Sequence, residues 1–295
     1  DDAGRFITLG LVATKHPETG VRNLGVYRIQ IIDKTHALMH WQKHKRGANH
    51  GDIAKENGAL MYCDGANMNA LLGISKPADQ GFDMIHLNLH KTFSTPHGGG
   101  GPGGGALGVR SFLEDYLPVP RIKKEDNQFV FDSDKEKSVG KLHSFYGNFG
   151  ILVRALSYIK SWGSDIQKIS QIAVLNANYL FSLLKEDFDV PYDRRCAHEF
   201  VISAKNFGEK STLNIAKRIT DYGFHAPTIY FPLIVKEALM IEPTETESKD
   251  TLDEYANILK KIIKELREDP ELVKNAPHTT PGRLDEVKAA RQLNL

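Results

Sequence analysis

The sequence predicts an α/β protein with a smaller α+β region behind it. Three observations carry this. From Gly51 onward, short apolar runs alternate with helical segments, the pattern of a layered α/β core. A long helical stretch, 144–186, follows them. Beyond that, strand and helix patterns intermix up to a helix over Thr251–Arg267. The chain has 295 residues, 41% hydrophobic content and 38 basic against 37 acidic side chains. That is enough for a real core, and the balance points to neither nucleic acid nor membrane as partner. No apolar run is long enough to span a bilayer, and no signal peptide is evident. The only cysteines are Cys63 and Cys196, so a reducing cytoplasm is expected rather than a disulfide scaffold. Cys63, in an apolar run, is expected to be a buried thiol.

The elements follow in order. RFITLGLVATK reads as a strand closed by the turn signal HPETG. VRNLGVYRIQIID alternates, with Tyr27, Ile29 and Ile31 on one face and Arg28 and Gln30 on the other. HALMHWQKH is a third stretch, ending in the basic run KHKRG, a pattern common on solvated faces. DIAKENG predicts a short helix with a glycine stop. ALMYCD is a buried parallel strand ending at Asp64. NMNALLG reads as helical. FDMIHLNLH is a second buried strand ending just before Lys91, and ALGV after the glycines is a third. Two helical segments follow, broken at Trp162-Gly163-Ser164. Then come EFVIS as a strand, TLNIAKRITDYGF as a helix and YFPLIVKEALMIEP as strands. Gly223 and Pro270 act as stops. The expected domains are 1–50, 51–185 and 186–295.

Lys91 is the residue that asks for an explanation. It sits between His90 and Thr92, and seven glycines around Pro102 follow it. Three readings are open: a surface lysine at a strand end, a phosphate ligand, or a Schiff-base lysine. A nucleotide-binding loop places its glycines before the lysine, whereas here the order is reversed. Asp64 supports the Schiff-base reading. Pyridoxal phosphate (PLP) needs an acid at its pyridine nitrogen so that the ring can accept electrons. Asp64 and Lys91 each end an apolar strand, and in a doubly wound sheet such ends face one crevice. Glycines let backbone pass close to a cofactor and move. His90 and His97 are candidate proton carriers near neutral pH, set against an ordinary packing role. Thr92 and Ser94 either donate to a cofactor phosphate or satisfy the strand end. Asn148 reads as a turn residue. Arg154 and His198 are candidates for a substrate carboxylate or a partner protein, with a structural role equally open.

Several stretches resemble the glycine cleavage system P protein family in its two-subunit form. They are DGANMNALLG (Asp64–Gly73), GFDMIHLNLHKTFSTPHGGGGPGGG (Gly81–Gly105), FYGNFGILVRA (Phe145–Ala155), HEFV (His198–Val201), DYGFHAPTIYFPLIV (Asp221–Val235), EALMIEPTETES (Glu237–Ser248) and APHTTP (Ala276–Pro281). The resemblance runs from about Ile53 to Arg291. It implies the C-terminal part of a PLP-dependent transferase (fold type I) large domain, then a small α+β domain, preceded here by a short β segment. It implies a PLP Schiff base on Lys91 and Asp64 at the pyridine nitrogen, and Ala66 and Thr92, inside the same motifs, are expected as further cofactor contacts. Lys91 is the catalytic residue that the resemblance implies, and His90 beside it is expected to be catalytic as a proton carrier. The implied reaction is loss of CO₂ from glycine and transfer of the aminomethyl group to the lipoyl arm of H protein, in a hetero-oligomer with the family's first subunit.

The opening stretch resembles a different family. NLGVYR and MHWQKHKRGANH, within Arg5–His50, are similar to UbiD-type decarboxylases, which use prenylated FMN. That resemblance implies metal binding by Asn23 and flavin contacts from Val26, Tyr27, Arg28, His40, Trp41, Gln42, Lys45 and Arg46. Nothing downstream occupies the place of that family's acidic ligands, and an asparagine alone cannot hold a metal. No metal and no prenylated FMN are therefore expected. The chain reads as a join near His50/Gly51 of two incomplete decarboxylase parts, in a recombinant or misassembled reading frame. Two alternatives to the glycine reaction remain: a UbiD-type fragment and a non-catalytic chimeric chain.

Overall fold

The computed structural model describes residues 5–15, 22–31, 37–39, 58–97, 103–142, 146–278, 282 and 284–292. The predicted DIAKENG helix, the basic KHKRG run, His40, Trp41, Gln42, Lys45 and Arg46, and the glycines at 98–101 lie outside them. The chain divides into two compact units.

The first unit comprises Asp1–Asp64, Pro77–His86 and Leu107–His143. Its opening, where strands were expected, is an antiparallel meander of β1 (Arg5–Lys15), β2 (Arg22–Ile31) and β3 (Ala37–Met39). Lys15 pairs with Arg22 and Ile29 with Met39. Strand β4 (Tyr62–Asp64) runs parallel to β5 (Met84–Asn88), with Asp64 opposite His86. Strand β6 (Gly105–Val109) completes the sheet order β4-β5-β6. The alternation of strand and connection thus yields the expected parallel pair. The strands are not the buried ones predicted: β5 is half-buried and most of β6 is exposed. Cys63 is likewise half-buried rather than enclosed. An apolar run reports a preference for burial and does not say whether another element packs over it.

A hairpin that the sequence reading passed over follows, β7 (Arg121–Glu125) with β8 (Gln128–Asp132). Its two-residue turn places Asp126 and Asn127 at φ 40° and 71°. Asp and Asn tolerate that left-handed region, which two-residue hairpin turns demand, so KKEDNQFVF carried the signal.

The second unit comprises Gly65–Lys76, Leu87–Ala106 and Ser144–Leu295. It holds α1 (Leu89–Thr92), α2 (Phe149–Trp162) and α3 (Gln167–Leu184). The break between the last two falls at Gly163, as expected. Next come β9 (Phe200–Ser203), α4 (Ser211–Asp221), β10 (Thr228–Ile229), β11 (Ala238–Ile241) and α5 (Lys249–Glu268). Two short helices close it, α6 (Pro270–Lys274) and α7 (Glu286–Arg291). The antiparallel order β10-β11-β9 lies under α3, α4 and α5, and Ile202, Leu239, Ile215, Ile219, Leu259 and Leu184 are fully buried between them.

Local chemistry accounts for the boundaries. Ser248 caps α5 by accepting the Thr251 N–H at 3.1 Å. Pro270 does stop α5, and it also opens α6 as its first residue, where its missing N–H costs nothing. Arg218 on α4 reaches Glu265 on α5 with Nε at 2.9 Å and Nη2 at 3.1 Å, and Asp221 with Nη1 at 3.0 Å. The Tyr222 hydroxyl donates to the same Glu265 carboxylate. Burial alone would raise the Glu265 carboxyl, but the hydrogen bonds from Arg218 and Tyr222, with the Arg218 charge, hold it below the ordinary range.

Two readings of local structure need correction. NMNALLG is a series of turns, with Leu71 and Leu72 N–H groups donating to the Met68 carbonyl, and not a helix. Gly73 at φ +70° breaks the helical phase, and the Ile74 and Ser75 N–H groups turn back to the Leu71 carbonyl. In YFPLIVKEALMIEP (230–243), only Ala238–Ile241 is strand, and its partner strand, Thr228–Ile229, lies just before that stretch. The connection between them turns at Tyr230 (φ 58°) and Glu237 (φ 50°) and exposes Leu233 and Ile234.

Candidate active site

Lys91 does not directly follow a strand. Strand β5 stops at Asn88, and Leu89–Thr92 form one helical turn. Leu89 and Phe93, four residues apart, share a face and bury against Ile151 and Ala155 of α2. That phase leaves Lys91 exposed on the opposite side while Thr92 is buried. The lysine is thus presented to solvent on an anchored turn.

The surroundings of this turn are tied together by short bonds. Leu89 N–H donates to the Gly104 carbonyl at 3.1 Å, and Asn88 N–H to the Ala66 carbonyl at 3.2 Å. Thr92 Oγ1 accepts the Met68 N–H at 2.8 Å. Arg154 Nε donates to the Ser94 carbonyl at 2.5 Å, and Ser94 itself holds φ 57°. Asn148 Nδ2 donates to the Gly103 carbonyl at 2.6 Å, so this residue anchors the glycine segment in addition to sitting at the start of α2. A Cβ on Gly104 would come within 3.1 Å of Ile151 Cγ2. Close packing, rather than access, explains glycine there.

Among the described residues, two polar atoms close to Lys91 in sequence have no partner: His90 Nδ1 and Thr95 Oγ1, both buried. The His90 ring stands edge-on to His97, with centroids 4.5 Å apart. Burial pushes the His90 imidazole below its usual range, and the neighbouring His97 and Lys91 charges add to this.

A second group joins the site from β9 and β11. Ile241 pairs with Phe200, so the next residues out, Glu242 and Glu199, stand opposite each other at the sheet's end. Glu242 Oε1 accepts from both Asn67 Nδ2 and Asn69 Nδ2 at 2.7 Å, and His198 Nε2 lies 3.7 Å from it. The Asn67 side chain in turn accepts the Asn69 N–H at 2.8 Å, which fixes both amides on one turn. Burial raises the Glu199 carboxyl; the His198 charge opposes this, Glu242 reinforces it, and the Lys91 charge opposes it. Lys91 is therefore within electrostatic reach of this group. Asn67, Asn69, Glu199 and Glu242 went unnamed in the sequence reading, although all lie inside its quoted motifs. His198 was named, and its partner is Glu242.

Asp64, in the first unit, ends β4. Its carboxylate lies 3.3 Å from His86 Nε2, and His86 Nδ1 pairs with the Tyr62 hydroxyl at 2.9 Å. Asn23 falls on β2.

Residues 169–278 match the family described as glycine dehydrogenase, C-terminal domain, and residues 1–75 match the 3-octaprenyl-4-hydroxybenzoate carboxy-lyase Rift-related domain. The chain resembles glycine dehydrogenase (decarboxylating) subunit 2. It is 58% identical over 243 residues to the probable subunit 2 of Caldanaerobacter subterraneus subsp. tengcongensis, covering 81% of this chain and 50% of that relative. It is 57% identical over 245 residues to the protein of the same description from Alkaliphilus oremlandii, covering 82% and 50%. The chain thus spans about half the length of the curated relatives it matches. Among solved structures, glycine decarboxylase (P-protein) of the glycine cleavage system in inhibitor-bound form superposes with TM-score 0.58 at 18% identity, over 72% of this chain and 50% of that one. An SPT with PLP superposes with TM-score 0.54 at 11% identity, over 76% and 52%. The fold is that of the PLP-dependent fold-type I enzymes, as the sequence reading expected. The two-family reading of the sequence is also borne out, with the second match reaching beyond residue 50.

Proposed function

We propose that this chain carries the lysine-bearing part of a glycine-decarboxylating enzyme of the glycine cleavage system, an oxidoreductase that passes the aminomethyl group to the lipoyl arm of H protein. The observation that carries this is Lys91: a solvent-facing amine on an anchored turn, close in sequence to two buried polar atoms without partners among the described residues, His90 Nδ1 and Thr95 Oγ1. The unspent Thr95 hydroxyl, and the Thr92 hydroxyl, which accepts from Met68 and keeps its own proton to donate, fit a phosphate-bearing cofactor, and His90 Nδ1 is left to take a proton. PLP, when bound, supplies the electron sink for loss of CO₂.

The chain's own groups have defined tasks. Lys91 Nζ would hold the cofactor, with Ala66 and Thr92 as further contacts. Asp64 is the carboxylate that the resemblance assigns to the ring nitrogen. His90, kept neutral by its surroundings, can accept a proton at Nδ1 when the substrate amine must be free of one. Arg154 and Asn148 orient the loop backbone on either side. The domain limits 1–50, 51–185 and 186–295 belong to this proposal, as do a hetero-oligomer with glycine dehydrogenase subunit 1, partnership with lipoylated H protein and a cytoplasmic location. Among the described residues no helix is long and apolar enough to cross a membrane.

The test is to incubate the chain with PLP, reduce with borohydride and locate the modified peptide by mass spectrometry, with and without subunit 1. An adduct on Lys91 that disappears in Lys91→Ala is expected. No adduct in either sample would refute the proposal. The match of residues 1–75 to the carboxy-lyase domain favours a second reading for that segment alone. Flavin absorbance in the purified chain would support it.

A further inference from the structure

The end of the β9–β11 pair gathers acceptors without enough donors. One ligand atom from each of His198, Glu199 and Glu242 lies within 4.8 Å of the others. Like charges set opposite each other on neighbouring strands repel. Glu242 takes two amide hydrogens on the same oxygen, Oε1, and these bonds leave Oε2 free of both amides. Asn69 is 2% exposed. It spends Nδ2 on Glu242, and its Oδ1, on the same carboxamide, is buried with no partner among the described residues. His198 Nδ1 is buried and unpartnered too. Leaving buried acceptors unsatisfied is costly, and a group rich in acceptors and negative charge is satisfied by a cation.

The donor chemistry narrows the choice. One imidazole and two carboxylates suit manganese or zinc, since imidazole favours the transition ions over magnesium. Donors on opposite sides of an ion held at about 2.1–2.4 Å lie at most about 4.2–4.8 Å apart, and the three ligand atoms here all lie within 4.8 Å of one another. Ligating carboxylates are normally held by hydrogen bonds from an outer layer, the part Asn67 and Asn69 play.

We propose that His198, Glu199 and Glu242, oriented by Asn67 and Asn69, form a divalent transition-metal site at the end of the β9–β11 pair. The site stands independently of the PLP reading. The expectation of a metal-free chain rested on Asn23 alone and did not weigh these residues.

The experiment is calorimetric titration of the chelator-treated full chain with Mn²⁺ alone, in the absence of PLP. One saturable site is expected in the wild type. Glu199→Gln, close to isosteric, should weaken it at least 10-fold while the circular dichroism spectrum is unchanged, and Asn69→Ala should weaken it about 10-fold, the usual effect of losing outer-layer support. Three results would overturn the proposal. One is no saturable binding by a folded wild type. A second is equal affinity in wild type and Glu199→Gln. The third is binding abolished by Asn23→Ala alone, which would place the ion in the N-terminal segment. Because no PLP is present, none of these outcomes bears on whether Lys91 holds the cofactor.

Discussion

Gly73→Ala should be far more damaging than its size implies. Gly73 has φ +70°, and a Cβ there would lie 2.7 Å from Gln167 Cβ, 2.8 Å from Gln167 Cα and 3.0 Å from Gln167 N. Two of those three atoms are backbone at the first turn of α3, so no side-chain rotation relieves the clash. The left-handed conformation alone costs about 1–2 kcal/mol for a non-glycine residue. Forcing an extra carbon into packed backbone adds about 1–3 kcal/mol. The sum, about 2–5 kcal/mol, is a large share of the roughly 5–15 kcal/mol that holds a typical domain together. Gly223→Ala is the control. It has φ +82° and nothing within 4 Å of the same position, so it should lose only the conformational part, about 1–2 kcal/mol. Denaturant unfolding of both variants measures the difference. The turn that ends at Gly73 also carries Asn67 and Asn69, so Gly73→Ala should weaken Mn²⁺ binding and Gly223→Ala should not. Equal destabilisation by the two substitutions would refute the packing argument and leave only backbone conformation.

Leu259→Ala removes a fully buried side chain from the core between β11 and α5. It should cost about 2–5 kcal/mol, at the upper end if the neighbours cannot close the cavity, read as a fall in denaturation midpoint with unchanged slope. Glu265→Gln tests the Arg218 cluster. Because the folded carboxyl titrates below its ordinary value, its contribution is present at neutral pH and is lost as pH falls through the folded value. The wild type should therefore lose stability on acidification through the carboxylate range. Glu265→Gln should be about 1–3 kcal/mol less stable at pH 7 and should lose less on acidification, and parallel pH profiles would contradict this.

Much of this protein was legible in its residues. The α/β alternation, the break at Gly163, the stops at Gly223 and Pro270 and the opening strands were all readable because periodicity, Gly and Pro act locally. Lys91 was singled out by its neighbours alone. The hairpin at Asp126-Asn127 was readable and was passed over, since its strands are short and largely polar. The turn at Met68–Gly73 was misread because a few residues of helical pattern do not reveal that a positive φ will cut them off.

What the sequence by itself determined is the type of most elements, the chemical identity of the lysine and its neighbours, and the kinship of the chain's parts to two families. Only the tertiary structure decided that Lys91 faces solvent while Leu89 and Phe93 anchor its turn, because that depends on which face α2 covers. It alone set Glu199 opposite Glu242, because strand register joins residues distant in the chain, and it alone brought Asn67 and Asn69 onto one carboxylate oxygen. Local preferences act over a few residues, and a site assembled from a turn, a helix and two strand ends exists only once those pieces have packed.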